Sequence, residues 1–231
     1  YSGGLNRNIV QCLNDYDIPL YLSHTVVDIR GKDRVEQVVV AKVGPDRKPV
    51  PGTEMVFDCD TLLLSVGLIP ENELSRQAGV VMDPRTNGAV VYENMETSLP
   101  GVFACGNVVH VHDLVDFVTA ESQRAGAAAA AWVKNGPAAS ARTLELKNGA
   151  GVGYTVPQKL RLDAVDTKAE IFFRVRQVYG NASIRVMDGD KQLAAFKREH
   201  MAPGEMERIT LPRKLLEMAG SDTLTVEIAE G

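Results

Sequence analysis

Thr97-Ser98-Leu99-Pro100-Gly101-Val102-Phe103-Ala104-Cys105-Gly106-Asn107 is the stretch on which the reading of this chain turns. Pro100-Gly101 predicts a tight turn, because proline fixes φ at the first corner and glycine accepts a positive φ at the second. Val102 to Cys105 then reads as a short buried strand. Gly106-Asn107 ends it, both residues tolerating the left-handed region. A long helix is predicted from about Leu114 to Lys134, since its alanines favour helix strongly. Val115, Val118, Ser122, Gly126, Ala129 and Val133 lie along one side, and their small size permits close approach to a sheet. Asn135-Gly136-Pro137 stops it, and Ala138 to Arg142 reads as a linker.

Upstream, Leu5, Ile9, Cys12 and Leu13 follow helical spacing. Ile18 to Leu22, Thr25 to Ile29 and Val35 to Val40 are rich in β-branched or aromatic residues and predict strands. Gly31-Lys32-Asp33 and Gly44-Pro45-Asp46 separate them as turns. Thr61-Leu62-Leu63-Leu64-Ser65-Val66 is a continuous apolar run closed by Gly67, the pattern of a strand buried on both faces. A short helix from Glu71 to Gly79 and a short strand from Gly88 to Val91 follow. An α/β unit that opens with a helix lacks its first strand, so the expectation is a chain that starts inside a domain.

Downstream of the linker the period changes to two. Ile171, Phe173 and Val175 alternate with Phe172, Arg174 and Arg176; Leu224, Val226 and Ile228 alternate with polar neighbours. Turns at Gly180-Asn181, Asp188-Gly189-Asp190 and Pro203-Gly204 are closely spaced, and one short helix, Arg213 to Ala219, interrupts the strands. The pattern predicts a small antiparallel sandwich or barrel. The fold class expected is therefore α/β, with a small all-β, sandwich-like domain at the carboxy-terminal end.

Composition narrows the function. The chain has 231 residues, 25 basic against 30 acidic, and the excess of acid lies in the first 150. No basic stripe offers a footprint for nucleic acid, and no apolar run is long enough to span a bilayer. Cys12, Cys59 and Cys105 are odd in number and widely spaced, which points to a reducing, cytoplasmic setting and away from a disulfide framework.

The stretch from Thr97 to Asn107 resembles the second flavin-binding motif of the pyridine nucleotide-disulfide oxidoreductase superfamily. Asp60-Thr61-Leu62-Leu63-Leu64-Ser65-Val66-Gly67-Leu68-Ile69-Pro70, some forty residues earlier, resembles the strand by which that family's NAD(P) domain returns to its FAD domain. The resemblance covers roughly residues 1–135. It implies a partial Rossmann-like region: 1–69 as the later part of an NAD(P)-binding domain, 70–142 as the carboxy-terminal segment of an FAD-binding domain, and 143–231 as an appended all-β domain. It implies FAD and NAD(P) as cofactors and hydride transfer between NAD(P)H and an acceptor, a small molecule or a protein, through the flavin. The cofactor-binding residues it implies are Gly67, Gly106 and Asn107, with the backbone of Asp116, Phe117 and Val118 at the amino end of the long helix, where partial positive charge meets the flavin edge. Asn107 departs from the family's usual Asp; it keeps an acceptor, loses the charge and gains a donor. No Gly-x-Gly-x-x-Gly occurs in the chain, so this stretch alone is expected to bind FAD weakly or not at all.

Other features carry less. His110, His112, Asp113 and Asp116 suggest metal ligands, but two histidines at i and i+2 do not share a helical face, so no metal site is expected and the group reads as solvated or flavin-adjacent. A proton-donating role for His110 or His112 has nothing further behind it. Gly149-Ala150-Gly151-Val152-Gly153 precedes a strand rather than a helix, so it reads as a flexible connection and not a phosphate loop. Cys105 reads as a small core residue, while Cys12 and Cys59 carry no assigned chemistry. The competing reading is a non-catalytic scaffold whose residues 143–231 dock a second copy or a partner subunit of an electron-transfer complex, with Ile171 to Val178 as a candidate pairing edge.

Overall fold

The computed structural model describes residues 6–65 and 67–231, so Leu5 of the first predicted helix and Val66 of the apolar run lie outside it. It is a mixed α/β structure that divides into two compact units, Tyr1–Gly67 and Leu68–Gly231. Within the first unit, helix α1 (Asn6–Cys12) precedes three antiparallel strands in the order β1 (His24–Arg30), β2 (Gln37–Lys42) and β3 (Met55–Asp58). The central strand carries the buried residues Val38, Val39 and Ala41. Two expected strands do not form. Ile18 to Leu22 is half-exposed coil around Pro19, which cannot donate to a ladder. Thr61 to Ser65 is unpaired among the described residues; Leu63 is 88% exposed, where burial on both faces was expected. An apolar run becomes a buried strand only when neighbours flank it, and among the described residues none does.

The second unit begins with α2 (Glu73–Gln77) and an irregular segment tied by single bridges, Met82 to Ala89, Val91 to Thr97 and Glu96 to Phe103. The expected strands at Gly88 to Val91 and Val102 to Cys105 are thus isolated bridges rather than ladders, and Val102 faces water. The Pro100-Gly101 turn forms as expected: Gly101 has φ +77°, and the Val102 N–H donates to the Leu99 carbonyl at 3.1 Å. Gly88 is required for packing. A Cβ there would lie 1.9 Å from the Val109 carbonyl oxygen, and backbone cannot swing aside. Gly88→Ala is therefore expected to cost about 2–3 kcal/mol by overpacking, read as a shift in the urea midpoint at constant slope.

Helix α3 runs from Val115 to Asn135, close to expectation. Its buried face does not. Val115 and Val133 are 74% and 80% exposed, whereas Glu121 and Ala125 are buried, with Phe117, Ala128 and Trp132 half-buried beside them. An alanine-rich helix offers several stripes of equal apolarity, so periodicity alone does not choose among them.

Residues 143–231 form two sheets. One has the order β10 (Glu207–Pro212), β7 (Lys168–Val175), β5 (Val152–Val156); the other runs β6 (Lys159–Arg161), β4 (Thr143–Asn148), β11 (Thr223–Glu230), β8 (Ala182–Asp188), β9 (Lys191–Arg198). All pairs are antiparallel except β4 with β11. Ile171, Phe173 and Val175 join Leu144, Leu160, Ile184 and Val226 in one buried cluster fed by both sheets, as their alternation predicts. A single turn, α4 (Arg213–Leu216), interrupts the strands. β7 is the middle strand of its sheet, so Ile171 to Val175 offers no edge to a partner. The glycines from 149 to 153 pack tightly instead of flexing: a Cβ on Gly149 would meet Thr225 at 2.7 Å, and one on Gly151 would meet the Tyr179 hydroxyl at 2.4 Å.

The opposite face of β7 and the neighbouring strands pack on residues 80–132. Val156 belongs to a second buried cluster with Val80, Ala89, Val91, Met95, Val109 and Ala125. Around it, Arg161 bonds Glu93, Asn94 and Glu96, and Arg174 bonds Asp113 and the Val111 carbonyl.

Candidate functional site

The segment from the Pro-Gly turn to the first turn of α3 holds the candidate residues other than Gly67. Gly106 opens a single 3₁₀ turn, Gly106–Val108, with φ +74°. It is buried, and its N–H donates to Glu121 Oε1 at 2.6 Å. Asn107 is exposed; its Oδ1 accepts the His112 N–H at 3.1 Å, and its amide nitrogen has no hydrogen-bond partner among the described residues. Asp116 is exposed in the first turn of α3. Phe117 is half-buried, its ring 5.7 Å from that of Phe172, and Val118 packs on Gly106. Leu114 stands at the N-cap of α3 with no side chain to cap the helix, so its amino end keeps unpaired N–H groups. Gly67, with φ +93°, ends the other unit, and a Cβ there would meet nothing within 4 Å among the described residues.

The sequence did not anticipate what gathers behind this turn. His110, His112 and Glu121 meet in the interior, which overturns the solvated alternative of the two expected for these histidines. His110 is 1% exposed, and the side chains of His112 and Glu121 are as deeply buried. His110 Nε2 lies 2.9 Å from Glu121 Oε2 and shares a hydrogen bond with it. His112 Nε2 lies 3.2 Å from the same oxygen but off the direction that a hydrogen bond requires, so neither ring nitrogen of His112 is satisfied among the described residues. His110 Nδ1 is also unpaired among them. The two imidazole centroids are 4.2 Å apart, and Phe172 and Tyr154 wall them in.

The argument from i, i+2 spacing fails because residues 110–112 precede the helix. In a non-helical, extended chain, alternate side chains share a face. Asp113 is not part of the group; it bonds Arg174 and the Met206 N–H and thereby pins the loop to the β layer. Burial pushes the Glu121 carboxyl up, but the hydrogen bond from His110, the His112 contact and the Gly106 N–H outweigh it and bring it down to about 2. Burial lowers His110 below the usual histidine range, against the pull of Glu121. The cluster at neutral pH is thus a carboxylate facing an uncharged imidazole. His110 also lines a cavity of about 240 Å³ with Arg85, Tyr154 and Arg174.

Comparison with known proteins decides the family. The profile of the pyridine nucleotide-disulphide oxidoreductases matches residues 5–131, more than half of the chain. The chain belongs to that family. It is similar to an NADH oxidase of Streptococcus pneumoniae, 30% identical over 113 residues, which is 49% of this chain and 22% of that protein. It is also similar to a CoA-dependent NAD(P)H sulfur oxidoreductase of Pyrococcus abyssi, 34% identical over 98 residues, 42% of this chain and 19% of the relative. A ferredoxin–NADP reductase of Bacillus pumilus is 26% identical over 103 residues, 45% of this chain and 29% of its own. The chain therefore spans less than a third of the length of these oxidoreductases. No helix among the described residues is long and apolar enough to cross a membrane.

Proposed function

We propose that this chain is the carboxy-terminal part of an FAD-dependent NAD(P)H oxidoreductase, with residues 1–69 from the nicotinamide domain, 70–142 from the flavin domain and 143–231 as an appended β domain. The observation that carries the reading is the uncapped, exposed amino end of α3 beside Gly106-Asn107, inside the segment that the family profile matches. The residues fit a flavin's polar edge. The N–H group at Asp116 supplies a donor, the backbone from Asp116 to Val118 carries the partial positive charge of the helix end, with the Phe117 N–H itself held by the Leu114 carbonyl at 3.2 Å, and the free amide of Asn107 supplies a further donor. Gly106 contributes shape alone, because its N–H belongs to Glu121. Asn107 uses its oxygen to hold the His112 backbone, a task the family's Asp would also perform. FAD, when bound, supplies the hydride chemistry, and the chain binds and orients it. The acceptor is a small molecule or a redox protein, and the free thiols of Cys12, Cys59 and Cys105 suit a reducing cytoplasm.

An absorption spectrum of the full-length protein that carries this chain, before and after incubation with FAD and desalting, tests the reading. Retained flavin and NAD(P)H oxidation support it; a colourless protein after FAD loading overturns it. In that protein Asn107→Leu is expected to weaken flavin binding about tenfold, the worth of one hydrogen bond to a charged or strongly polar group. Unchanged affinity would remove Asn107 from the site.

A further inference from the structure

We propose that His110 Nε2, His112 Nε2 and Glu121 Oε2 form a three-ligand site for a divalent transition-metal ion of the zinc class. The inference is independent of flavin binding and rests on which buried atoms have partners. A carboxylate that merely accepted a hydrogen bond would account for His110. It leaves His112 unexplained: the side chain is 1% exposed, and both of its ring nitrogens lack a hydrogen bond among the described residues. Stranding buried polar atoms costs about 1–3 kcal/mol each, so native interiors rarely keep them without a purpose.

A metal ion accounts for the arrangement. Donors at about 2.0–2.1 Å from a tetrahedral zinc stand roughly 3.3 Å from one another. Here Glu121 Oε2 stands 2.9 Å from one imidazole nitrogen and 3.2 Å from the other, and donor atoms of all three residues lie within 4.8 Å of one another. The off-axis approach of His112 Nε2 is what two lone pairs aimed at a common third atom would produce. Two imidazoles and one carboxylate suit zinc and its transition-metal neighbours, whereas magnesium and calcium call for oxygen cages. Three protein ligands leave a fourth position open.

Support for the ligands comes from one side. The Gly106 N–H fixes Glu121 through Oε1 and leaves Oε2 to the ion. Among the described residues the histidine Nδ1 atoms have no acceptor, and missing outer partners of this kind weaken metal sites by about 10–100-fold. The affinity expected is accordingly below that of a fully buttressed zinc centre.

The test uses the full-length protein that carries this chain, stripped with a chelator, then titrated with Zn²⁺, and with Co²⁺ as a spectroscopic substitute. One equivalent should bind and raise the melting temperature. His112→Ala should weaken binding at least about a hundredfold, losing a ligand outright, while His24→Ala and His200→Ala, at the two histidines outside the cluster, leave it unchanged. Glu121→Gln, which keeps the side-chain volume, provides a second variant should His112→Ala fail to fold, and it too should abolish the melting shift. Substoichiometric zinc in the native chain, or binding that survives in the folded variant, overturns the site.

Discussion

Arg161→Ala is expected to lower the unfolding free energy by about 3–5 kcal/mol, a large share of the roughly 5–15 kcal/mol that a domain of this kind has. Arg161 is 8% exposed and spends its guanidinium on three partners: Nε to Glu93 Oε1 at 3.1 Å, Nη1 to Glu96 Oε2 at 2.6 Å and Nη2 to Asn94 Oδ1 at 2.7 Å. Its plane also lies over the Tyr92 ring, 4.3 Å from the centroid. Truncation leaves the 3%-exposed Glu96 and its neighbour Glu93 as buried charges without a counter-ion. That stranding, rather than the worth of the ion pair itself, sets the size of the loss. Arg161→Lys keeps the charge but not the planar fork, so it should lose less. Adding Glu96→Gln to Arg161→Ala should recover part of the stability. Urea titrations of the four proteins check the series. A loss under about 1 kcal/mol for Arg161→Ala would mean that the network behaves as a solvated surface pair. The network also joins β6 to the segment at 92–96, so hydrogen exchange should quicken at both places in the alanine variant.

What the sequence made legible follows a physical line. Alternation in Ile171-Phe172-Phe173-Arg174-Val175 identified the inward face of β7, because sheet periodicity depends on nothing outside the strand. It did not reveal that Phe172 is buried too, against residues far away in the chain. The bounds of α3 were readable from alanine propensity and the Asn135-Gly136-Pro137 stop, while its buried face was not, since that is chosen by what packs on it. The apolar run from Thr61 to Ser65 shows the same limit: hydropathy records a preference for burial, and only neighbouring strands can satisfy it. The turns at Pro100-Gly101 and at Gly106 were readable because the stretch from Thr97 to Asn107 is local. The His110–His112–Glu121 cluster was missed because a helical rule was applied to residues that are not helical. A signal was available. Phe117, Glu121, Ala125, Ala128 and Trp132 form a stripe at helical spacing, and a lone carboxylate within an otherwise apolar stripe requires a buried partner.

Glu121→Leu, measured in chelator so that the fold alone is read, is expected to cost about 3 kcal/mol. The leucine fills the space, so the loss is not that of a cavity. It arises from the donors that lose their acceptor: the Gly106 N–H, held at 2.6 Å, and His110 Nε2, held at 2.9 Å. Each is buried, and each stranded donor costs about 1–3 kcal/mol. Relief from burying the carboxylate does not cancel this, because the native surroundings hold its pKa near 2; they favour the ionised form more strongly than water does. Glu121→Gln should lose only about 1–2 kcal/mol. Its amide oxygen can still accept from Gly106, but its NH₂ meets an imidazole that must move its proton to Nδ1, where no acceptor waits. The order leucine below glutamine below native distinguishes a hydrogen-bonded anchor from simple packing, which would rank leucine highest. Because Gly106 opens the turn that carries Asn107, the leucine variant of the full-length protein should also lose flavin more readily than its melting temperature alone would explain. A leucine variant as stable as the native chain would mean that the turn holds its shape without Glu121, and that the carboxylate is kept for binding alone.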